Sequence, residues 1–417
     1  MNPWLIVLLL VLIVPWLLDL IVEKLNSSYA KSELPEELKD VYDAEKYEKQ
    51  QNYHKDCTGF GLFSSTFSLI VTLVFIFAGG FLYLDDFLRE SITNDILRGL
   101  LFIGILSIGG SIIELPFSWY KNFVIEERYG FNKMTLGIFI GDFFKNIILS
   151  IIIGAPLMVL LFWIFSYADN QPLAWLFAWV ALTAFFILMY FLTPIVIMPM
   201  FNKYEPIEDG ELKDAIMGYA KKEKFALAGV FKMDGSKRST KANAFFTGFG
   251  KSRRIVLFDT LIEKQTVPEL LIVLAHEMGH FKLKHIIKQL VLMILCFGGI
   301  LFLIQTLLNN VGLFQAFGMG EEPKLSVYAS IVFIMMIINP VFALYGVFRN
   351  YLSRKYEFEA DAYAAETCGN PEDLVSALKK LSGDNLSNLN PHPLKVFLEY
   401  SHPTVYQRIL ALRALKS

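Results

Sequence analysis

Seven apolar runs, each long enough to cross a bilayer, divide this chain of 417 residues. A membrane-spanning helix needs about 20 mostly apolar residues. Because hydrocarbon offers no partner to free backbone groups, each run is predicted to be a helix. Charged residues make up only 19% of the chain and the mean hydropathy is +0.46, whereas soluble proteins carry about 25% charged residues. The predicted spans are 4–22, 62–84, 99–118, 137–164, 174–199, 287–309 and 326–348.

The positive charges predict which side of the membrane each connecting segment faces. Of the 38 Lys and Arg residues, only Arg89, Arg98 and Lys324 lie in the segments on one side. The positive-inside rule therefore places the opposite segments in the cytoplasm and the amino terminus outside. The segments predicted to be cytoplasmic are 24–61, 119–136, 200–286 and 349–417.

Two of the cytoplasmic segments are large enough to fold outside the bilayer. In 200–286, three short β-prone runs predict a small antiparallel sheet, and their sequences are GVFKMDG, NAFFTGFG and RRIVLFD. Pro268 then begins a helical stretch that is predicted to continue into the sixth span. In 349–417, the pattern predicts a helix that ends at Gly369, a second helix near 371–382, a Pro/Asn-rich loop and a last helix from about 403.

The helical stretch contains LAHEMGH, which places two of the six histidines of the chain four residues apart. Residues four apart share one face of a helix, so His276 and His280 can offer two imidazole rings to one ion. Glu277 then falls beside the open coordination position. Two neutral nitrogen ligands and a carboxylate that deprotonates a zinc-bound water are the requirements of a zinc peptidase. The motif therefore predicts a zinc site with Glu277 as the general base.

Catalytic zinc usually takes three protein ligands, and the third has several candidates. His285 points at least a quarter turn away from the metal face and is expected at the membrane interface. The acidic candidates after the seventh span are Glu357, Glu359, Asp361 and Glu366. Glu357 and Asp361 share a face, whereas Glu359 points about 200° away from Glu357. A second carboxylate one turn on can accept the other N–H of a ligating histidine. The alternative interpretation is that these acidic residues simply form a solvated face of the helix.

Six stretches in this order resemble the integral-membrane CAAX prenyl proteases, also called type I prenyl endopeptidases, which are seven-span zinc metallopeptidases. No single stretch is decisive, but together they cover most of the chain. They are VIEERYGFNKMT (124–135), MPMFNKYEPIEDGEL (198–212), DGSKRSTKANAFFTGFGKSRRIVLFDTLI (234–262), LAHEMGHFKLKH (274–285), NYLSRKYEFEADAYA (350–364) and YSHPTVYQRILAL (400–412).

The resemblance implies roles for residues outside LAHEMGH. Glu357 would be the third zinc ligand, and Asp361 would orient a ligating histidine. Asn243 and His402 would hold the substrate backbone or stabilise the oxyanion, with Arg408 assisting nearby. The residues alone leave other interpretations open, because Asn243 could simply end a strand and His402 could simply cap the last helix.

The resemblance also implies the fold, an all-α multipass membrane protein whose seven transmembrane helices enclose a water-filled chamber. A cytoplasmic zinc metallopeptidase domain with the small antiparallel sheet would cap that chamber. Membrane helices 1–5 and their loops occupy 1–199, and membrane helices 6–7 occupy 287–348. The two parts of the metallopeptidase are then 200–286, with the sheet and HExxH helix, and 349–417, with the third zinc ligand and the C-terminal helices.

The implied function is hydrolysis of a peptide bond that frees the last three residues of a prenylated CAAX sequence, with one zinc ion per chain. We expect a monomer in the bilayer with a peptide or protein substrate, and the net charge of −2 gives no case for nucleic-acid binding. The compactness of the chain and the lack of an obvious retrieval tail favour a bacterial cytoplasmic membrane, with the endoplasmic reticulum as the eukaryotic alternative. Two other functions stay open: a quality-control membrane metallopeptidase acting on unprenylated substrates, and a transporter or receptor with an accidental HExxH.

Overall fold

The computed structural model of the protein describes residues 2–29, 34–167, 171–247, 253–321 and 323–415, and most of them are helical. Three short π-helical turns extend or join successive helices, namely Lys121–Glu126, Ser150–Gly154 and Thr193–Ile197. The helices that precede the sheet are α1 (Pro3–Tyr29), α2 (Ala44–Phe77), α3 (Gly80–Ser91), α4 (Asp95–Tyr120), α5 (Leu136–Leu149), α6 (Ala155–Ser166), α7 (Ala174–Leu192) and α8 (Met198–Phe201).

The second half of the chain contains the strands and the remaining helices. Its first part comprises β1 (Tyr204–Pro206), α9 (Glu211–Lys222), β2 (Gly229–Met233), β3 (Ala244–Thr247), β4 (Arg254–Phe258), α10 (Asp259–Lys264) and α11 (Val267–Lys282). Its second part comprises α12 (His285–Leu307), α13 (Val311–Ala316), α14 (Val327–Ile337), α15 (Asn339–Cys368), α16 (Pro371–Asp384), α17 (Pro393–Glu399) and α18 (Val405–Ala414).

The described helices confirm a multipass membrane protein. Six are long and apolar enough to span a bilayer, and α14 with α15 forms a seventh span if the pair, bent by 50°, is counted as one. Only 6–22% of the most apolar window of each of the six is buried within the protein. Such apolar surface is stable only where lipid replaces water. The predicted second span differs at its end, because α2 stops at Phe77 and Gly79 adopts a left-handed φ of 71° before α3 begins.

The sheet is not purely antiparallel as predicted. Its strand order is β1-β2-β4-β3, in which β2 and β4 run parallel and the other two pairs run antiparallel. The parallel pair arises because the chain reverses direction twice, through β3, before β4 returns beside β2. The sequence did not predict β1, since three residues are too short to show strand periodicity. Residues 248–250 of the second predicted run lie outside the described residues.

The prediction of one continuous helix from Pro268 into the sixth span is wrong. Helix α11 ends at Lys282, and Lys284 adopts a left-handed φ of 59° before α12 begins. The start of α11 is well defined, because Pro268 lies in its first turn and Thr266 forms a capping box with Glu269. The break separates the helix that carries the HExxH motif from the membrane span.

The C-terminal segment follows the predicted pattern closely. Helix α15 ends at Cys368, where Gly369 has a φ of 83°, the left-handed conformation that glycine adopts most readily. Helices α16 and α18 occupy the two predicted helical stretches. Helix α17 was not predicted, because its short sequence lies within the Pro/Asn-rich loop.

Helix α11 lies between the sheet and the C-terminal helices. One face packs Leu270 and Leu274 on Ile255 and Leu257 of the sheet. The opposite face contributes to a core that also contains residues of α15, α16 and α18. Helices α11 and α15 approach closely at Gly279, where an added Cβ would lie 3.1 Å from the Tyr363 ring and 3.2 Å from the Ala360 Cα. A glycine is therefore needed inside the motif.

Two cavities lie among the membrane helices. The larger, of about 1140 Å³, is lined by α4, α5 and α6 and includes the polar groups of Asp142 and Asn146. The second, of about 840 Å³, is lined by residues of α1, α2, α4 and the C-terminal segment, among them Tyr400. Glu114 and Ser118 line both cavities, so the two spaces adjoin at α4.

Candidate metal centre

The two histidines of the motif point at one position. The Nε2 atoms of His276 and His280 lie 3.2 Å apart, as expected for side chains four residues apart on α11. His276 is buried and His280 is partly buried. The structure therefore brings together the two nitrogens that the spacing selected.

Glu357 on α15 completes the group from the neighbouring helix. Its Oε2 lies 3.5 Å from the His276 Nε2 and its Oε1 lies 3.3 Å from the His280 Nε2. The side chain is only 5% exposed, and its Oε2 has no hydrogen-bond partner among the described residues. A buried carboxylate oxygen without a hydrogen bond is costly unless a nearby charge or a ligand satisfies it.

These three side chains fit a zinc ion. With bonds of about 2.0–2.2 Å in a tetrahedral arrangement, the ligand atoms lie about 3.3–3.5 Å from one another. The two histidine Nε2 atoms are 3.2 Å apart, and each lies 3.3 or 3.5 Å from a different carboxylate oxygen of Glu357. The chemistry of the donors, two imidazoles and one carboxylate, is also that of catalytic zinc sites. His276, His280 and Glu357 can therefore hold one metal ion.

Asp361 and Arg408 support the group from behind. The Asp361 Oδ1 lies 2.8 Å from the His276 Nδ1, so this carboxylate can accept the ring N–H that does not face the metal position. Arg408 donates from Nε to Oδ2 and from Nη2 to Oδ1 of Asp361, at 2.8 and 2.6 Å. Its Nη1 lies 3.4 Å from the Glu357 Oε2. Since Arg408 is only 8% exposed, the structure places it among the supporting groups.

Glu277 is free to handle a proton. Its side chain is partly buried next to the two histidines and forms no hydrogen bond within the described parts of the chain. Burial raises the pKa of Glu277, although His276 and His280 act in the opposite direction. A carboxylate with a raised pKa is a stronger base at neutral pH.

The structure brings His402 to the group, whereas Asn243 has no hydrogen bond with it among the described residues. The His402 Nε2 lies 3.3 Å from the Glu357 Oε1, and the side chain is 62% exposed. Asn243 stands immediately before β3, which is an edge strand, and its exposed side chain accepts a hydrogen bond from the Ala244 N–H at 2.9 Å.

Sequence reasoning missed the placement of His285 and Glu359. Helical geometry directed His285 away from the metal face, but the break at Lys284 returns its ring to His280, with the two Nδ1 atoms 3.0 Å apart. His285 begins the candidate span α12, and its side chain is only 1% exposed, so it is turned into the protein. The Nε2 of His285 lies 2.9 Å from the Glu359 Oε2. The sequence signal that could have indicated a role for His285 was the small number of histidines, six in the whole chain.

Membrane-spanning helices and a buried HExxH group completed by a glutamate from a later helix are typical of an integral-membrane metallopeptidase. Comparison with known proteins agrees. The family model described as "CAAX prenyl protease N-terminal, five membrane helices" matches residues 24–203, and the model of peptidase family M48 matches residues 206–416.

Individual proteins are similar over nearly the whole chain. CAAX prenyl protease 1 of Saccharomyces cerevisiae is 35% identical over 92% of this chain and 89% of the relative. The human CAAX prenyl protease 1 homolog is 31% identical over the same shares. The crystal structure of S. mikatae Ste24p superposes with a TM-score of 0.91 at 33% identity and covers 99% of each chain.

The chain therefore belongs to the CAAX prenyl protease family of M48 peptidases, and the resemblance inferred from the sequence is confirmed. The protein is a membrane metalloendopeptidase of that family. This membership rejects the interpretation of a transporter or receptor with an accidental HExxH.

Proposed function

We propose that this protein is a zinc-dependent endopeptidase that removes the C-terminal tripeptide from prenylated CAAX proteins or peptides. The observation that carries the proposal is the group of His276, His280 and Glu357, whose imidazole nitrogens and carboxylate lie close enough together to hold one zinc ion. One ion per chain is proposed. The names of the yeast and human relatives support the CAAX substrate.

The chain's own groups supply proton transfer and support. Zinc at this position would lower the pKa of a water and polarise the scissile carbonyl. Glu277 takes a proton from the attacking water and returns it to the leaving amine. Asp361 keeps the His276 ring in the orientation that presents Nε2, because it accepts the proton of Nδ1. Arg408 balances the charges of Asp361 and Glu357, so its proposed role is support for the ligands and not contact with substrate.

The substrate is proposed to bind along β3. The outer edge of this strand is free of a neighbouring strand in the described sheet, and metallopeptidases can bind an extended peptide there by strand addition. Asn243 lies at the start of this edge with its amide exposed. His402 is the exposed donor beside Glu357 and is proposed to stabilise the oxyanion.

The proposed domain organisation follows from the two segments that build the site. Residues 200–286 contribute the sheet and α11, and residues 349–417 contribute the end of α15 and the last helices. Membrane segments 1–199 and 287–348 surround the cavities. The charge bias supports a cytoplasmic position for both parts of the metallopeptidase. The three proposed ligands are complete within one chain, and we propose a monomer.

The membrane in question is proposed to be the endoplasmic reticulum. The named relatives come from yeast, plants and animals, and they give no support to the bacterial cytoplasmic membrane that the compact sequence favours. A eukaryotic source also agrees with the proposed substrate, a CAAX protein whose cysteine carries a prenyl lipid.

Zinc analysis and peptide cleavage with the same purified protein test the function. We expect about one zinc per chain and release of the C-terminal tripeptide from a farnesylated CAAX peptide, with little cleavage of the matched peptide that lacks farnesyl. Equal cleavage of both peptides would favour the alternative, a quality-control metallopeptidase acting on unprenylated substrates. Absence of zinc from active protein would contradict the proposed chemistry.

A further inference from the structure

The second ring nitrogen of His280 faces a chain of hydrogen-bonded groups that the proposed reaction does not use. The His280 Nδ1 lies 3.0 Å from the His285 Nδ1, and the His285 Nε2 lies 2.9 Å from the Glu359 Oε2. The His285 ring is also stacked on the Tyr356 ring, with centroids 4.2 Å apart and planes inclined by 8°. These contacts hold His285 in one orientation.

Hydrogen-bond chemistry sets the protons along this chain of groups. Two Nδ1 atoms at this distance need one proton between them, because two lone pairs repel and two N–H groups clash. When the His280 Nε2 binds a metal, its Nδ1 keeps a proton and donates it to the His285 Nδ1. The neutral His285 then carries its own proton on Nε2 and donates it to Glu359. Each donor therefore has an acceptor.

We propose that His285 and Glu359 are positioning residues, which orient His280 and increase its electron donation to the metal. The inference rests on the proposed zinc site. The arrangement complements that at the other histidine, where Asp361 accepts directly from the His276 Nδ1 at 2.8 Å. Carboxylates that accept from a ligating histidine strengthen metal binding about 10–100-fold. Here the carboxylate acts through an intervening imidazole.

The helix break explains how His285 reaches this position. In a continuous helix, residues 280 and 285 would differ by about 500°, which is 140° around the axis. The left-handed Lys284 instead starts a new helix with His285 at its first residue. Glu359 reaches the same place from α15, two residues after Glu357, and its other side faces solvent near Lys355 at 3.8 Å. Because Glu359 is partly exposed, we expect its effect on metal binding at the lower end of the range of about 10–100-fold.

The test measures zinc loss from the detergent-purified, zinc-loaded full-length protein to an excess of chelator. Glu359→Gln keeps the size of the side chain but removes its charge, and it should speed zinc loss about 10-fold. His285→Phe keeps a ring stacked on Tyr356 but removes both nitrogens, and it should speed zinc loss at least as much. The matched control is Lys355→Gln, which removes the solvent-side partner of Glu359 and should change the rate less than about twofold.

A double variant and a spectrum separate positioning from general stability. If Glu359 acts through His285, the double variant should lose zinc about as fast as His285→Phe alone. The reason is that His285→Phe already breaks the hydrogen-bonded connection between Glu359 and His280. The visible absorption of the cobalt-substituted protein should also shift in Glu359→Gln, since a purely structural residue would leave the ligand field unchanged. The inference is overturned if the wild type holds zinc and both single variants lose it at the wild-type rate. Wild-type protein without zinc would instead contradict the proposed function itself.

Discussion

At the scale of single residues, three carboxylates of the site differ in role because they differ in position: one faces the metal position, one supports a histidine and one is available for proton transfer. Glu357 points at the metal position from α15, and Asp361, one turn later, points at the Nδ1 of His276. Glu277 neighbours His276 on α11 but forms no hydrogen bond in the described structure, which leaves it available for proton transfer. The sequence could predict this division because helical spacing orders side chains around an axis. It could not predict the role of Glu359, which depends on where a broken helix places His285.

The first prediction concerns Glu277. Glu277→Gln removes the base and keeps nearly the same volume, so turnover should fall by about 10² or more, the scale of losing a general base. Zinc content and peptide binding should match the wild type, because this side chain is not one of the three proposed ligands. Both quantities are measured on the same preparation. Substantial cleavage by zinc-loaded Glu277→Gln would show that another group activates the water.

The second prediction concerns the third ligand. Glu357→Ala should leave purified protein with little zinc, because only the two imidazoles remain. Glu359→Ala should retain zinc after purification and lose it faster on chelation. Zinc per chain, measured by atomic absorption, decides between them. If Glu359→Ala is empty while Glu357→Ala is full, the assignments of the two glutamates are reversed.

At the scale of helices and strands, the site depends on the packing of α11 against α15. Their close approach at Gly279 lets the histidines of one helix meet the glutamate of the other. The sequence predicted both helices, because their caps and apolar patterns are local. It predicted neither the left-handed Lys284 nor the parallel pairing of β2 and β4, because both are set by contacts between distant parts of the chain.

The third prediction tests this packing through Gly279→Ala. The added methyl would lie 3.2 Å from the Ala360 Cα and 3.3 Å from its carbonyl oxygen, and backbone atoms cannot turn aside. Overpacking of this kind costs about 1–3 kcal/mol and should also move Glu357 away from the histidines. We expect a lower melting temperature and faster zinc loss.

A second glycine gives the matched control for this change. Gly218 lies in α9, where an added Cβ meets nothing within 4 Å. Gly218→Ala should therefore leave zinc binding unchanged and stabilise the protein by up to about 1 kcal/mol, since alanine favours the helix. If the two variants behave alike, close contact at Gly279 is not required.

At the scale of the whole molecule, the membrane architecture was the most predictable property. Long apolar runs have few alternatives to spanning helices, and the described helices occupy all seven predicted runs. The boundaries were less predictable, as the early end of α2 shows, because apolar residues continue past a break in the backbone. The cavities among the helices could not be derived from apolar patterning, since it does not reveal which faces meet lipid and which meet an internal space.

The fourth prediction concerns orientation. A reporter tag inserted beside Gly320, which is exposed and has no atom within 4 Å of an added Cβ, should be labelled by an impermeant reagent from outside the cytoplasm. Tags within 210–240 or at the carboxyl terminus should be labelled only after the membrane is opened. A protected tag at Gly320 would contradict the predicted topology.

The origin of the three ligands from two distant segments has a consequence for the integrity of the protein. His280 precedes the membrane helix α12, and Glu357 follows α14 and the first turns of α15, so a bound ion would act as a reversible cross-link that closes the intervening stretch of chain. Binding to the folded form alone stabilises it by about 2.7 kcal/mol when free metal is 100 times the dissociation constant. The melting temperature should therefore rise with buffered free zinc. A cell short of zinc would then lose this protein to unfolding and degradation, and not only its turnover.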